Sequence, residues 1–127
     1  MPRKPSPSLT DAEARVMAVL WRAGTATVAD VVSALRAAKR RPAVSYSTIQ
    51  TILRILENKG YVAHDKVARA FVYRPLVDER QARSRALKHL MNRLFDGSPS
   101  LLVLNVLDDE EIDPAELRVV KKLIEKA

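Results

Sequence analysis

Along the first half of this chain, apolar residues recur at the three-and-four spacing of amphipathic helices, and the residues between them are ones that start and stop helices. Thr10 is placed as an N-cap, Glu13 closes a capping box and Asp11 suits the helix dipole. Ala12, Val16, Val19 and Leu20 form one face until Gly24 ends the run. After extended Thr25-Ala26, Thr27 caps a second helix with Asp30 at its third position and Val28, Val31, Val32 and Leu35 on one side. That helix gives way at Lys39-Arg40-Arg41-Pro42. A third begins at Ser45 or Ser47 and runs to Lys59, with Gly60 beyond its end.

The third helix has two unlike faces. Ile49, Ile52, Leu53 and Leu56 make an apolar stripe, while Ser47, Gln50, Thr51, Arg54 and Asn58 project from the opposite side. Strand composition follows at Tyr61-Val62-Ala63 and Ala70-Phe71-Val72-Tyr73, which predicts a hairpin whose connection is 64–69 and whose tip carries Lys66 and Arg69. Three helices followed by a hairpin is the element order of a winged helix, and Trp21 and Phe71 read as packing residues. From Asp78 or Glu79 the pattern is helical again, with Ala82, Ala86, Leu87, Leu90, Met91 and Leu94 near one face. Ser98-Pro99 opens a helix that is apolar on nearly all sides from Leu101 to Leu107. Beyond the acidic break Asp108 to Glu111, Asp113-Pro114-Ala115-Glu116 starts a last helix bearing Leu117, Val120, Leu123 and Ile124.

The expected organisation is a flexible basic arm over 1–8, a winged-helix domain over 9–77 and a helical segment over 78–127. The last has more apolar surface than about 50 residues can hide, so it calls for a second copy of itself. Its dimerisation residues are expected to be Leu87, Leu90, Met91, Leu94, Leu101, Leu104, Leu117, Val120 and Ile124. The fold class is therefore mostly helical with a small β-hairpin wing.

Composition narrows the function. The chain has 127 residues, 47% hydrophobic and 29% charged, the balance of a folded protein. It holds no cysteine, which removes disulfides, thiolate metal sites and thiol nucleophiles. His64 and His89 lie far apart without a second ligand at metal spacing, the three glycines all follow helices, and no nucleophile elbow is present. An enzyme, a cofactor, a metal and a small-molecule ligand are accordingly not expected. With no apolar run of spanning length and no secretory core at the N-terminus, a cytoplasmic location away from membranes is expected.

Net charge is +7, and residues 1–80 hold 14 Lys and Arg against 7 Asp and Glu, whereas 81–127 are balanced at 8 each. A basic surface can serve solubility alone. A solvated helix face, however, normally carries Glu and Lys, and Ser47, Gln50, Thr51 and Arg54 are instead suited to base edges and phosphates. Thr48 and Thr51 also offer methyl groups to thymine. Double-stranded DNA is thus the expected partner. A winged helix serving as a protein-interaction module, without sequence-specific DNA binding, is the competing reading and would not need the basic wing.

Several stretches together resemble the BlaI/MecI family of penicillinase-repressor winged-helix regulators, whose copper-responsive relatives are called CopY. They are Leu9-Thr10-Asp11-Ala12-Glu13 with Val19-Leu20-Trp21, Tyr46-Ser47-Thr48-Ile49-Gln50-Thr51-Ile52-Leu53, and Lys59-Gly60-Tyr61. Arg69 to Val77 and Phe95-Asp96-Gly97-Ser98-Pro99 continue the likeness to about Ile124. The resemblance implies a dimer that holds a palindromic operator and represses resistance or stress genes. It implies that Tyr46, Ser47, Thr48, Gln50, Thr51 and Arg54 face the major groove, with Lys66 and Arg69 of the wing on the backbone or minor groove. It also implies an inducing protease that cuts an Asn-Phe bond, matched here by Asn105-Val106, where Asn is kept and Val replaces Phe. Copper sensing through C-terminal cysteine pairs is excluded, because there are none.

Overall fold

A computed structural model describes residues 8–38 and 44–127. Its elements are α1 (Asp11–Ala23), β1 (Ala26–Thr27), α2 (Val28–Ala37), α3 (Tyr46–Asn58), β2 (Val62–Val67), β3 (Ala70–Pro75), α4 (Glu79–Leu94), α5 (Pro99–Asp108) and α6 (Pro114–Lys126). The expected arm over 1–8, except Ser8, and the break at Lys39 to Pro42 lie outside the described residues. The chain divides into two compact units, Met1–Ala86 and Leu87–Ala127.

In the first unit, local chemistry starts each helix. The Thr10 hydroxyl accepts from the Glu13 amide at 3.2 Å while the Glu13 carboxylate accepts from the Thr10 amide at 2.8 Å, and Thr27 and Asp30 repeat the exchange for α2. Gly24 ends α1 at φ 84°, a conformation that a side chain resists. Val16, Met17 and Leu20 of α1, Val31 of α2, and Ile49, Leu53 and Leu56 of α3 are fully buried against one another. Val62 and Tyr73 close this core from the sheet and Tyr61 from the bend before β2, and Val77 and Ala82 complete it.

The sheet has three antiparallel strands in the order β1-β3-β2. The extended piece before α2 is its third strand, with Ala26 opposite Tyr73 and Thr27 opposite Val72. The hairpin is longer and tighter than its sequence suggests. Strand β2 runs on to Val67, which pairs with Ala70, so the connection is only Ala68-Arg69. Ala68 takes φ 56° to make that turn. This is a winged-helix fold.

Past β3, the Trp21 indole donates to the Val77 carbonyl at 2.9 Å. The Asp78 and Gln81 side chains cap each other's amides at 2.8 and 3.0 Å to start α4. Ala82 in the first turn of α4 belongs to the core of the first unit, which extends to Ala86.

In the second unit Ser98 caps α5 and Asp113 caps α6, each followed by proline at the first turn. No residue from Leu87 to Ala127 is buried.

Candidate nucleic-acid interface

Helix α3 is fixed from behind and free in front. Its N-cap is Ser45, whose hydroxyl accepts from the Thr48 amide at 3.2 Å, so Ser47 lies at the second helical position and is not the cap. Ile49, Leu53 and Leu56 anchor the apolar back, and Ile52 is packed against the same core. Ser47, Thr48, Thr51 and Arg54 are exposed, Gln50 is half-buried, and Tyr46 at the first position is 53% exposed. Among the described residues, the side chains of Gln50, Arg54, Lys66 and Arg69 make no hydrogen bond or ion pair, which leaves their polar ends available to a ligand. The hydroxyls of Thr48 and Thr51 are engaged within the helix. Thr48 Oγ1 shares a hydrogen bond of 2.8 Å with Ser45 Oγ, and Thr51 Oγ1 donates to the Ser47 carbonyl at 3.0 Å.

The helix is held at its far end by a pair that no local pattern announces. Lys59, the C-cap of α3, donates through Nζ to Glu13 Oε1 at 2.7 Å and to the Ser8 carbonyl at 3.1 Å. The two side chains are only 7% and 6% exposed. Burial pushes the Glu13 carboxyl upward, but the hydrogen bond and charge of Lys59, together with the Thr10 bonds, prevail and hold it below its ordinary value. A capping residue of α1 therefore also fixes where α3 ends.

The wing is joined to α3 through Glu57 and His64. His64 Nδ1 lies 2.7 and 2.9 Å from the two Glu57 oxygens, and its ring packs 4.7 Å from Phe71 and 5.3 Å from Tyr73, centroid to centroid. Burial first, and then the Glu57 carboxylate, push the Tyr73 hydroxyl up against the opposing charge of Arg54. Phe71 is 44% exposed and is not a core residue, because the hairpin continues past the helices that cover Tyr73. Lys66 on β2 and Arg69 in the turn are both exposed, with Lys66 opposite Phe71 in register. On the other side of the hairpin, Arg74 and Asp65 form an exposed ion pair at 3.4 Å. The sequence pattern does not single out Glu57 or Ile55, and it marks His64 only as a histidine without a second metal ligand, not as a partner of Glu57. Glu57 and His64 are seven residues apart on different elements, so only the fold reveals the pair.

The sequence profile described as the penicillinase repressor matches residues 9–126. The chain belongs to that family. The "Penicillinase repressor" of Bacillus licheniformis is 31% identical over 123 residues, which is 97% of this chain and 94% of the relative. The "Methicillin resistance regulatory protein MecI" of Staphylococcus aureus strain N315 is 25% identical over 118 residues, 93% of this chain and 94% of that one. Among solved structures, the DNA binding domain of the repressor BlaI is 36% identical with a TM-score of 0.51, covering 64% of this chain and 93% of that domain. This family member thus shares the winged-helix fold of a DNA-binding domain over 64% of its length.

The remaining expected residues lie in the second unit. Leu87, Leu94, Leu101, Leu104 and Ile124 are exposed, and Leu90, Met91, Leu117 and Val120 are half-buried. Asn105 is exposed beside a cleft lined by Phe95, Leu101, Leu104, Asp108 and Asp109, and the bond from Asn105 to Val106 lies inside α5. Among the described residues no helix is long and apolar enough to cross a membrane.

Proposed function

We propose that this chain is a cytoplasmic transcriptional repressor that binds an operator as a homodimer and so blocks transcription. The single observation that carries the reading is α3 itself. Its back is anchored by three fully buried side chains, and its front offers Gln50 and Arg54 without a hydrogen bond or ion pair among the described residues, in a chain that matches a repressor's DNA binding domain over 64% of its length. In this reading α3 enters the major groove, where Gln and Arg pair with adenine and guanine edges, and Lys66 and Arg69 neutralise phosphates beside it.

The second unit supplies the pairing. A stretch of 41 residues with no buried side chain in one copy gains its core from a second. Two-fold pairing presents two α3 helices, so the operator is an inverted repeat with half-sites about one helical turn apart or a little more. Induction by a protease at Asn105-Val106 belongs to the same reading, and it requires α5 to unwind, since the bond is helical in the folded chain.

Footprinting of the purified chain on DNA flanking its own gene is the test. A protected inverted repeat is expected. Uniform binding without a footprint, or binding only to protein, would sink the reading.

A further inference from the structure

Ile55 is 39% exposed on α3, on the same flank as Thr48 and Thr51. At 100° per residue these three positions fall within about 60° of one another, and at 1.5 Å per residue they span about 10 Å along the axis. A lone exposed isoleucine is ordinary. Here it continues a line of two threonines whose hydroxyls are already engaged, Thr48 with Ser45 at 2.8 Å and Thr51 with the Ser47 carbonyl at 3.0 Å. Both substituents of a threonine are fixed at the same Cβ, so a held hydroxyl leaves the methyl as the unengaged end of the side chain. The flank is therefore apolar along its length, although a count of residue types makes it polar. Isoleucine is also a poorer helix former than the Lys, Glu or Gln usual at a solvated site.

We infer that Thr48, Thr51 and Ile55 form a methyl-lined strip that reads the C5-methyl groups of successive thymines in the major groove. The inference rests on the DNA-binding reading above and names the base chemistry that this flank of α3 selects. Gln50 and Arg54 lie on the other side of the same front and read hydrogen-bonding edges. The strip reads the one major-groove feature that is apolar.

The test uses the full chain and a duplex enriched by it from a random-sequence pool. Each thymine of that duplex is then replaced singly by deoxyuridine, which keeps every hydrogen-bonding group and removes only the methyl. At two or more neighbouring positions the parent chain should lose about fourfold in affinity, the worth of one buried CH2 group. Thr48→Ser and Thr51→Ser delete one methyl each. They should bind the thymine duplex about fourfold more weakly, and each should become indifferent to uracil at one position. Ile55→Ala should behave in the same way and Ile55→Val should keep most of the affinity, a pair that separates lost contact from lost folding. The inference is overturned if the parent tolerates uracil everywhere, or if all the variants stay as sensitive to it as the parent. Should no duplex be enriched at all, the DNA-binding reading fails and this one falls with it.

Discussion

Glu13 shows how one side chain serves two levels of structure. Its capping exchange with Thr10 is legible in the sequence, because the partners are three residues apart and the pattern is local. Its ion pair with Lys59 spans 46 residues and exists only once α1 and α3 are packed. Removing one member of a buried pair leaves the other charge without compensation, so Lys59→Met should cost about 3 kcal/mol in chemical denaturation. The pH dependence has a definite sign. The folded state holds the Glu13 carboxyl below its ordinary 4.5, so its stabilisation is complete above that pH and drains away as pH falls through the depressed folded value. Glu13→Gln should be less stable than the parent at neutral pH, with the gap narrowing below about pH 4.5. A gap that stays constant down to pH 2 would place the stabilisation elsewhere. On the front of α3, Gln50→Ala and Arg54→Ala should each lower operator affinity about tenfold while changing binding to scrambled duplex much less. Equal losses on both duplexes in a competition titration at fixed salt would make α3 a backbone clamp.

Among the elements, the helices of the first unit follow their caps and apolar stripes closely, because both signals are short-range. The wing is less legible. Turns that connect strands usually advertise glycine, asparagine or aspartate, and this one is made by Ala68-Arg69, so nothing in the chain marked where the hairpin reverses. The cost is visible at Ala68, whose φ of 56° suits glycine. Ala68→Gly should relieve strain and raise stability by up to about 1 kcal/mol, read from a shift in the denaturation midpoint. A lowered midpoint would show that the turn is unstrained. In the proposed complex the charges near this turn meet phosphates of any sequence. Lys66→Ala or Arg69→Ala should weaken binding to all sequences alike and make the dependence of log K on log salt shallower by about one unit per lost phosphate. An unchanged slope in both variants would move the phosphate contact off the wing. The third strand, Ala26–Thr27, is two residues long, too short for alternation to reveal, and became apparent only through its pairing with β3.

Across the whole molecule, apolar content alone marked residues 78–127 as needing a partner, whereas the edge of the compact unit depended on Ala82, which packs backward into the first core. With Leu94 at 66% exposure and no side chain buried beyond Ala86, replacing Leu90 and Leu94 together by glutamate should yield monomers in light scattering at low micromolar concentration. A retained dimer mass would place the interface on other residues. All the leucines that a second copy would cover lie outside α3 and the wing, which carries a genetic consequence. In the proposed dimer, a copy damaged at Arg54 would still pair with intact copies made in the same cell, and each mixed pair would hold only one half-site. Such an allele should be dominant: introduced beside the normal gene, it should derepress the target, while the same allele truncated before Leu87 should be recessive.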